Sequence, residues 1–152
     1  MPDTSLVFRP PAAADAERLS HLLAELGYPT PAEEVPIRLA ELAAFPKALV
    51  LVAERQLEVV GLITMIIYPS IHAKRPSCLI TSLVVSSDYR GKGIGSALLA
   101  RAEQWALDNG AVRVSVGSGL HRPDTHQFYE NRLYARSGIR FTKLLSEGSG
   151  TR

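Results

Sequence analysis

The stretch SDYRGKGIGSALLARAEQW, residues 87–105, constrains the fold more than any other part of this chain. Gly91, Gly93 and Gly95 stand directly before an apolar helical pattern, and the strand-like sequence CLITSLVVS precedes them. The first amides of a helix have no acceptor within the helix and, together with the helix dipole, they form a site for an anion. Glycines allow a phosphate to approach that backbone closely. The sequence therefore predicts a strand, a glycine turn and a helix that bind a phosphorylated ligand.

Two familiar phosphate-binding loops do not fit this stretch. The nucleoside-triphosphate loop requires lysine and then serine or threonine after its last glycine, where this chain has Ser96 and Ala97. The dinucleotide fingerprint requires a different glycine spacing on the first βα unit of a parallel sheet, whereas this loop comes midway along the chain. The remaining pattern is Arg-x-x-Gly-x-Gly, at Arg90, Gly93 and Gly95, with further positive charge from Lys92. A glycine-rich turn without a ligand is the alternative interpretation.

The distribution of charge is more informative than its total. The 152 residues carry a formal net charge of +2, which is too small to indicate a nucleic-acid-binding protein. Residues 1–60 contain 5 Lys and Arg against 9 Asp and Glu, whereas residues 61–152 contain 12 against 6. The second part of the chain is therefore suited to an anionic ligand, although solvated charges distributed by chance would give the same counts.

Cysteine usage and hydropathy exclude several classes of protein. Cys78 is the only cysteine, so an internal disulfide and a cysteine zinc site are excluded, and a lone cysteine in an apolar strand usually belongs to the core. The longest apolar stretch, VVGLITMIIY, is far shorter than the roughly 20 residues that span a membrane. The N-terminal residues lack the pattern of a signal peptide. We expect a cytoplasmic protein with no metal and no nucleic-acid or membrane partner.

Hydrophobic periodicity predicts an α/β protein with one central sheet. The predicted strands are residues 6–10, 47–54, 57–68, 78–86, 112–118 and 136–145. The predicted helices are residues 12–27, 31–45, 93–109 and 122–134. Thr30 is expected to cap the second helix, and Pro36 is expected to kink or split it. A turn at RQ joins the second and third strands into a hairpin.

Taken together, these motifs resemble the GNAT superfamily of acyltransferases, which use acetyl-CoA. The resemblance covers nearly the whole chain and is carried by LVVSSDYRGKGIGSALLARAEQWALDNGA, HQFYENRLY and SGIRFTKLL. It implies an α/β (α+β) fold with a mixed, mostly antiparallel central sheet flanked by helices. It also implies one domain over residues 1–145. The terminal sequence SEGSGTR, residues 146–152, is expected to be a disordered tail. The segment LGYPTPAEEVPIRLAEL further resembles the N-terminal helices of members that acetylate small amines, including aminoalkylphosphonates and aminoglycosides.

The resemblance also implies an acetyl-CoA site. The residues expected to hold the pyrophosphate are Arg90, Gly91, Lys92, Gly93, Ile94, Gly95 and Ser96. The end of the preceding strand, Leu83 to Val85, is expected to be splayed from the next strand and to bind the pantetheine arm. An amide at Val84 or Val85 would polarise the thioester carbonyl. Phe128 is expected beside the pantetheine and Tyr129 near the sulfur.

Tyr129 is the expected catalytic residue. A neutral amine attacks the thioester, and the leaving thiolate needs a proton. A phenol with a pKa of about 10 can protonate a thiolate whose conjugate acid has a pKa of about 8.5, so Tyr129 can act as the general acid. Packing in a short amphipathic helix is the alternative role for this residue.

The general base is not assigned. Many family members carry a glutamate on the central strand, but SCLITSLVV contains no acid. Thr81 and Ser82 can orient a water molecule. The titratable candidates elsewhere are His72, His121, Asp124 and His126, for which a surface or capping role is the other interpretation.

Two positions depart from the family pattern. Leu133 precedes Tyr134 where the family usually has glycine, so we expect a different turn there. Gly119 stands where an asparagine often contacts CoA.

The resulting prediction is an N-acetyltransferase that moves an acetyl group from acetyl-CoA to a primary amine of a small molecule by direct attack. The alternatives are a non-catalytic acyl-CoA-binding regulatory module and a protein or peptide N-acetyltransferase. The acceptor is expected between the N-terminal helices and the loop YPSIHAKRPS, where the acidic first part of the chain would suit a cation. Exposed sheet edges near the C-terminus would allow a homodimer.

Overall fold

The computed structural model describes residues 5–118 and 123–146. The chain divides into two units, Met1–Val116 and Gly117–Arg152. The predicted tail beyond Ser146 lies outside the described residues, and so do Gly119 and His121. Within the described ranges, no helix combines the length and apolar character that crossing a membrane requires.

The first unit contains a five-stranded sheet in which the spatial order of the strands follows the chain. The strands are β1 (Leu6–Arg9), β2 (Ala48–Arg55), β3 (Glu58–Tyr68), β4 (Ser77–Val85) and β5 (Val114–Val116). Strands β1 to β4 pair antiparallel, and β5 pairs parallel to β4. The predicted mixed, mostly antiparallel sheet is therefore confirmed.

The helices of the first unit are α1 (Ala16–Leu26), α2 (Val35–Ala44) and α3 (Ile94–Asp108), and the second unit contains α4 (Pro123–Glu130). The predicted split before α2 is confirmed, because a short 3-10 turn precedes the helix and Pro36 lies in its first turn. Proline is tolerated there since the first amides of a helix have no acceptor within it. The predicted cap at Thr30 is wrong, because its hydroxyl donates to the carbonyl oxygen of Tyr28 at 2.9 Å instead.

Helices cover both faces of the sheet. Leu62 on β3 and Val84 on β4 pack in one apolar cluster with side chains of α1 and α2. Successive strand residues point to opposite faces, so Gly61 faces the other side. A Cβ atom at Gly61 would lie 2.9 Å from a methyl carbon of Leu98, which shows how closely the first turns of α3 approach β3.

Two elements differ from the sequence expectation. The hairpin turn between β2 and β3 is formed by Gln56 and Leu57, one residue later than predicted, with φ values of 51° and 65° that suit a tight two-residue turn. The predicted strand at residues 136–145 is wrong, because no strand occurs in residues 123–146. Ile139 and Phe141 alternate as in a strand, but both are exposed, and an alternating pattern forms a strand only where a partner edge pairs with it.

Candidate active site

The glycine turn leads from β4 into α3. Gly93 caps the helix with a φ of 81°, and Gly91 has a φ of 78°, in the left-handed region that side chains disfavour. A Cβ atom built at either glycine meets no atom within 4 Å, so the space in front of the turn is open. The amide of Ala97 donates to the carbonyl oxygen of Gly93 at 3.0 Å and closes the first helical turn. The amides of Gly93, Ile94 and Gly95 precede this bond and have no acceptor within the helix.

Glu25 on α1 binds the segment that leads into this turn. Its Oε1 accepts a hydrogen bond from the amide of Ser87 at 2.9 Å and lies 4.0 Å from a guanidinium nitrogen of Arg90. Burial alone would raise the pKa of Glu25, but the bonds from Ser87 and the charges of His21 and Arg90 hold this pKa below its usual value. Arg90 also donates to the carbonyl oxygen of Val85 at 3.2 Å. The ionised carboxylate of Glu25 therefore binds the start of the loop and lies beside the positively charged Arg90 of the same loop.

The end of β4 has an unpaired edge. Strand β5 pairs only with residues 78–80 of β4, and no strand in residues 5–118 pairs with that edge beyond Ile80. On the other side, the amide of Ser86 donates to the carbonyl oxygen of Val60 at 2.8 Å. Backbone groups of neighbouring strand residues alternate in direction, so Val84 also faces β3 and the amides of Leu83 and Val85 face the unpaired edge.

A β-bulge in β4 exposes a cluster of hydroxyl groups. Ile80 lies opposite Met65 and Ser82 opposite Thr64, so Thr81 is an extra residue in β4. The hydroxyl oxygens of Thr64 and Thr81 are 2.6 Å apart, and those of Thr64 and Ser82 are 2.5 Å apart. This hydroxyl cluster, Thr64, Thr81 and Ser82, lies one residue before the strand segment with the unpaired edge.

The hydroxyl cluster opens into a cavity of about 270 Å³ between α1, α2 and the sheet, which we call the α1–α2 cavity. Leucine and valine side chains form more than half of its lining. They are Leu19, Leu23, Leu26, Val35, Leu39, Leu42 and Leu62. The polar lining residues outside the hydroxyl cluster are Tyr28, Thr30 and Arg38. The cavity is therefore apolar along its helical walls and carries hydroxyl groups where it meets β3 and β4.

Tyr129 belongs to the second unit, on α4. It is buried, with 7% of its surface exposed, and its ring makes edge-on contacts with those of Phe128 and Tyr134 at centroid distances of 5.2 and 5.3 Å. The guanidinium of Arg132 lies 3.8 Å from the centroid of the Phe128 ring. Leu133 has a φ of 68°, in the left-handed region that glycine favours.

The other titratable candidates belong to both units of the chain. His72 is exposed in the loop between β3 and β4, Asp124 is exposed in the first turn of α4, and His126 is partly buried on the same helix. Burial raises the pKa of the Cys78 thiol to about 11, so this thiol is protonated at neutral pH and cannot serve as a nucleophile there. In the described ranges, no three His, Cys, Asp or Glu side chains converge as metal ligands would.

The site residues expected from the sequence thus occupy two places in the chain. Leu83, Val84 and Val85 and the seven residues from Arg90 to Ser96 form one continuous strand, turn and helix in the first unit. Phe128 and Tyr129 are neighbours on α4 in the second unit. Sequence reasoning missed Glu25 and Thr64. Glu25 lies three residues after Leu22 on the helix, which indicated a position beside the core. Its contact with the loop could not be read from the sequence, because its hydrogen-bond partner Ser87 is 62 residues away along the chain.

Comparison with known proteins identifies the family. A family model described as the acetyltransferase (GNAT) family matches residues 16–133. The aminoalkylphosphonate N-acetyltransferase of Salmonella typhimurium is 40% identical to this chain over 93 residues, which cover 61% of this chain and 60% of that protein. The chain therefore matches three fifths of the length of this curated relative.

Solved structures share the fold over nearly the whole chain. A GNAT family acetyltransferase from Staphylococcus aureus superimposes with a TM-score of 0.77 at 25% identity, covering 93% of this chain and 100% of that chain. An aminoglycoside acetyltransferase from an uncultured soil metagenomic sample, in complex with trehalose, gives a TM-score of 0.78 at 20% identity and covers 95% of this chain and 99% of that chain. The second likeness concerns the fold alone.

Proposed function

The chain belongs to the GNAT family of acetyltransferases, and we propose that it moves the acetyl group of acetyl-CoA to the primary amine of a small molecule by direct attack. One observation carries this proposal: the unpaired end of β4 leads through one short 3-10 turn (Ser87–Tyr89) into the glycine turn and the first turn of α3. The curated relative from Salmonella typhimurium, which is named for an aminoalkylphosphonate, supports a small amine as the acceptor class.

The residues of this unit fit the coenzyme. The amides of Gly93, Ile94 and Gly95 suit a pyrophosphate, because they lack acceptors within the helix and the space before Gly93 is open. We assign the whole segment from Arg90 to Ser96, including Gly91 and Lys92, to this role. Leu83 and Val85 direct their amides to the unpaired edge and suit the pantetheine arm.

The orientation of β4 narrows the choice of amide for the thioester carbonyl. Val84 faces β3 in the ladder, so we assign the carbonyl to the amide of Val85 rather than to that of Val84. A fixed backbone donor stabilises the negative charge that develops on the carbonyl oxygen as the amine attacks.

In the proposed reaction, the neutral amine nitrogen forms a bond to the thioester carbonyl carbon, and the carbon–sulfur bond then breaks. Tyr129 gives its phenolic proton to the leaving sulfur, and Phe128 packs beside the pantetheine arm. The nitrogen loses one proton to water held by the hydroxyl cluster, and that proton restores the phenol. This route uses no acidic side chain of β4, and residues 77–85 contain none.

Titration calorimetry with acetyl-CoA tests the coenzyme site. Gly93→Val places a branched side chain at a φ of 81° in front of the helix, and we expect it to abolish the heat of binding. Gly138→Val is the matched control, because a Cβ atom there also meets open space but Gly138 has no positive φ. Unchanged binding by Gly93→Val would contradict the assignment.

The Tyr129→Phe variant tests the general acid. A positioned acid contributes about 10²- to 10⁴-fold to a rate, so we expect thiol release to slow by at least about 100-fold. The dissociation constant for acetyl-CoA should change less than about threefold. Tyr134→Phe removes a hydroxyl from the neighbouring ring and should leave both quantities unchanged. Normal turnover by Tyr129→Phe would remove this residue from the mechanism.

A further inference from the structure

We infer that the acceptor is a primary monoamine with an apolar body, bound in the α1–α2 cavity with its nitrogen at the hydroxyl cluster. This inference rests on the proposed acetyltransferase function and names its substrate class. The cavity volume of about 270 Å³ suits a small molecule, since it lies close to the lower end of the roughly 300–1,000 Å³ range of ligand pockets.

The helical walls of the cavity favour an apolar body. Leu23 and Leu39 project from α1 and α2 into the same space, and Leu62 lines it from the sheet. Each methylene buried against such walls stabilises a ligand, because apolar surface leaves water. Among the described residues that line the cavity, none is an aspartate or a glutamate, so a second ammonium group would be buried without a counter-charge.

Three acidic residues of the first part of the chain form ion pairs with arginines that do not line the cavity. Arg9 forms ion pairs with Asp15 at 2.8 Å and with Glu54 at 3.0 Å. Arg18 pairs with Glu58 at 3.1 Å. Because no aspartate or glutamate is among the described lining residues, the excess of acid in residues 1–60 does not reach an acceptor in this cavity directly, in contrast to the sequence expectation of a cationic acceptor.

Arg38 gives little preference for an anionic acceptor. It is the only charged residue among the described cavity lining, and its side chain is 59% exposed. It already pairs with Glu34 at 2.9 Å, one helical turn earlier. An exposed ion pair of this kind has little net charge to offer, so a phosphonate or carboxylate on the acceptor gains little there.

The hydroxyl cluster determines which end of the acceptor carries the nitrogen. A neutral amine can donate to and accept from hydroxyl groups such as those of Thr64 and Thr81. Ser82 immediately precedes Leu83 on β4, and a strand rises about 3.3 Å per residue. The polar end of the cavity therefore lies within about 10 Å, along the strand, of the Val85 amide assigned to the thioester carbonyl.

An amine series measures this preference through thiol release with saturating acetyl-CoA. From n-propylamine to n-hexylamine, we expect kcat/KM to rise about fourfold for each methylene. 1,6-Diaminohexane has the same six-carbon chain as n-hexylamine but a second ammonium group, and its kcat/KM should be at least about tenfold lower. A preference for the diamine, or for 3-aminopropylphosphonate over n-butylamine, would overturn the inference.

Two variants locate the preference in the cavity. Leu39→Glu supplies the missing carboxylate and should reverse the order of n-hexylamine and 1,6-diaminohexane, whereas Leu107→Glu on the exposed side of α3 should leave the order unchanged. Thr64→Val removes a central hydroxyl with little change of shape, and we expect a lower kcat for n-hexylamine with a KM within about twofold. Retention of the wild-type order by a folded Leu39→Glu variant, or of kcat by Thr64→Val, would overturn the inference.

Ligand-observed NMR separates this inference from the proposed function. If acetyl-CoA gives no heat of binding, the proposed function fails, while saturation transfer to n-hexylamine still reports on the cavity. Transfer that Leu39→Glu weakens and Leu107→Glu preserves would support the binding part of the inference. Absence of transfer to n-hexylamine, or acetylation of diamines with no acetylation of monoamines, would refute the inference and leave any acetyl-CoA binding intact.

Discussion

Gly61 offers a quantitative test of how the sheet positions the first turn of α3. A Cβ atom at Gly61 would lie 2.9 Å from Leu98 Cδ1 and 3.4 Å from Ile94 Cγ2. Since contacts near 2.9 Å are repulsive, Gly61→Ala must displace the Leu98 side chain or the helix that carries it. The affected turn is the one whose amides we assign to the pyrophosphate.

The expected magnitude follows from two opposing effects. Adding a methyl group to a packed core costs about 1–3 kcal/mol. Replacing glycine by alanine within a strand recovers about 0.5–1 kcal/mol, because the unfolded chain loses conformational freedom. We therefore expect Gly61→Ala to lower the free energy of unfolding by roughly 0.5–2 kcal/mol.

A double-mutant cycle identifies the cause of this loss. Leu98 is fully buried, so Leu98→Ala alone should cost about 2–5 kcal/mol through the cavity that it leaves. In the double variant the new methyl group occupies part of that cavity, and the loss should be smaller than the sum by about 0.5–3 kcal/mol. Urea unfolding followed by the fluorescence of Trp105, the single tryptophan, measures all four proteins. Strict additivity would refute the reasoning that the close approach of α3 requires glycine.

Three further predictions concern single side chains. The pKa of the Cys78 thiol is near 9 in the unfolded chain and about 11 in the folded protein, so the stability conferred by the neutral thiol is complete below pH 9 and lost from pH 9 to 11. Urea unfolding should therefore show the free energy of unfolding of the wild type falling by up to about 3 kcal/mol over this range, relative to Cys78→Ala. The same pH dependence in both proteins would contradict this prediction. Leu133→Gly should raise the free energy of unfolding by about 1 kcal/mol. Leucine is strained at a φ of 68°, and its side chain is 95% exposed, so glycine relieves the strain and loses little packing. Chemical denaturation tests this prediction, and a loss of stability would count against it. Glu25→Gln keeps an acceptor for the amide of Ser87 but removes the negative charge near Arg90. Calorimetry should therefore show about two- to fivefold tighter acetyl-CoA binding at low salt, and 1 M salt should suppress the gain. Unchanged affinity at low salt would reject this prediction.

The strand, glycine turn and helix could be predicted because their causes are local. Gly91 and Gly93 adopt left-handed φ values that few other residues tolerate, so their positions in the sequence determine the turn. The apolar spacing of α3 and the proline in the first turn of α2 are likewise visible within a few residues. The family of the chain could be recognised for a similar reason, since each of the three motifs that carry the resemblance is a continuous segment of the sequence.

The candidate acceptor site could be predicted only in part, because its parts come from distant segments. The N-terminal helices were expected to line it and do line the α1–α2 cavity, whereas the loop YPSIHAKRPS contributes none of the described lining residues. The hydroxyl cluster forms only when Thr64 on β3 meets Thr81 on β4, and the bulge that admits Thr81 depends on the register between those strands. The cavity adds residues of α1 and α2, whose arrangement follows from packing rather than from local preference. The predicted strand around Ile139 and Phe141 failed for a related reason. Its alternating pattern is local, but a strand also needs a partner strand, and none of the described strands pairs with this segment.

The extra residue at Thr81 lets β4 lose one residue at this point without losing its register. Ile80 already lies opposite Met65 and Ser82 opposite Thr64, so deleting Thr81 would close the bulge into a regular ladder with the same partners on both sides. Every later side chain of the strand would keep its face and its amides would keep their edge, because only the unmatched residue is removed. A single codon lost at this point would thus remove one hydroxyl group and leave the rest of the strand in place.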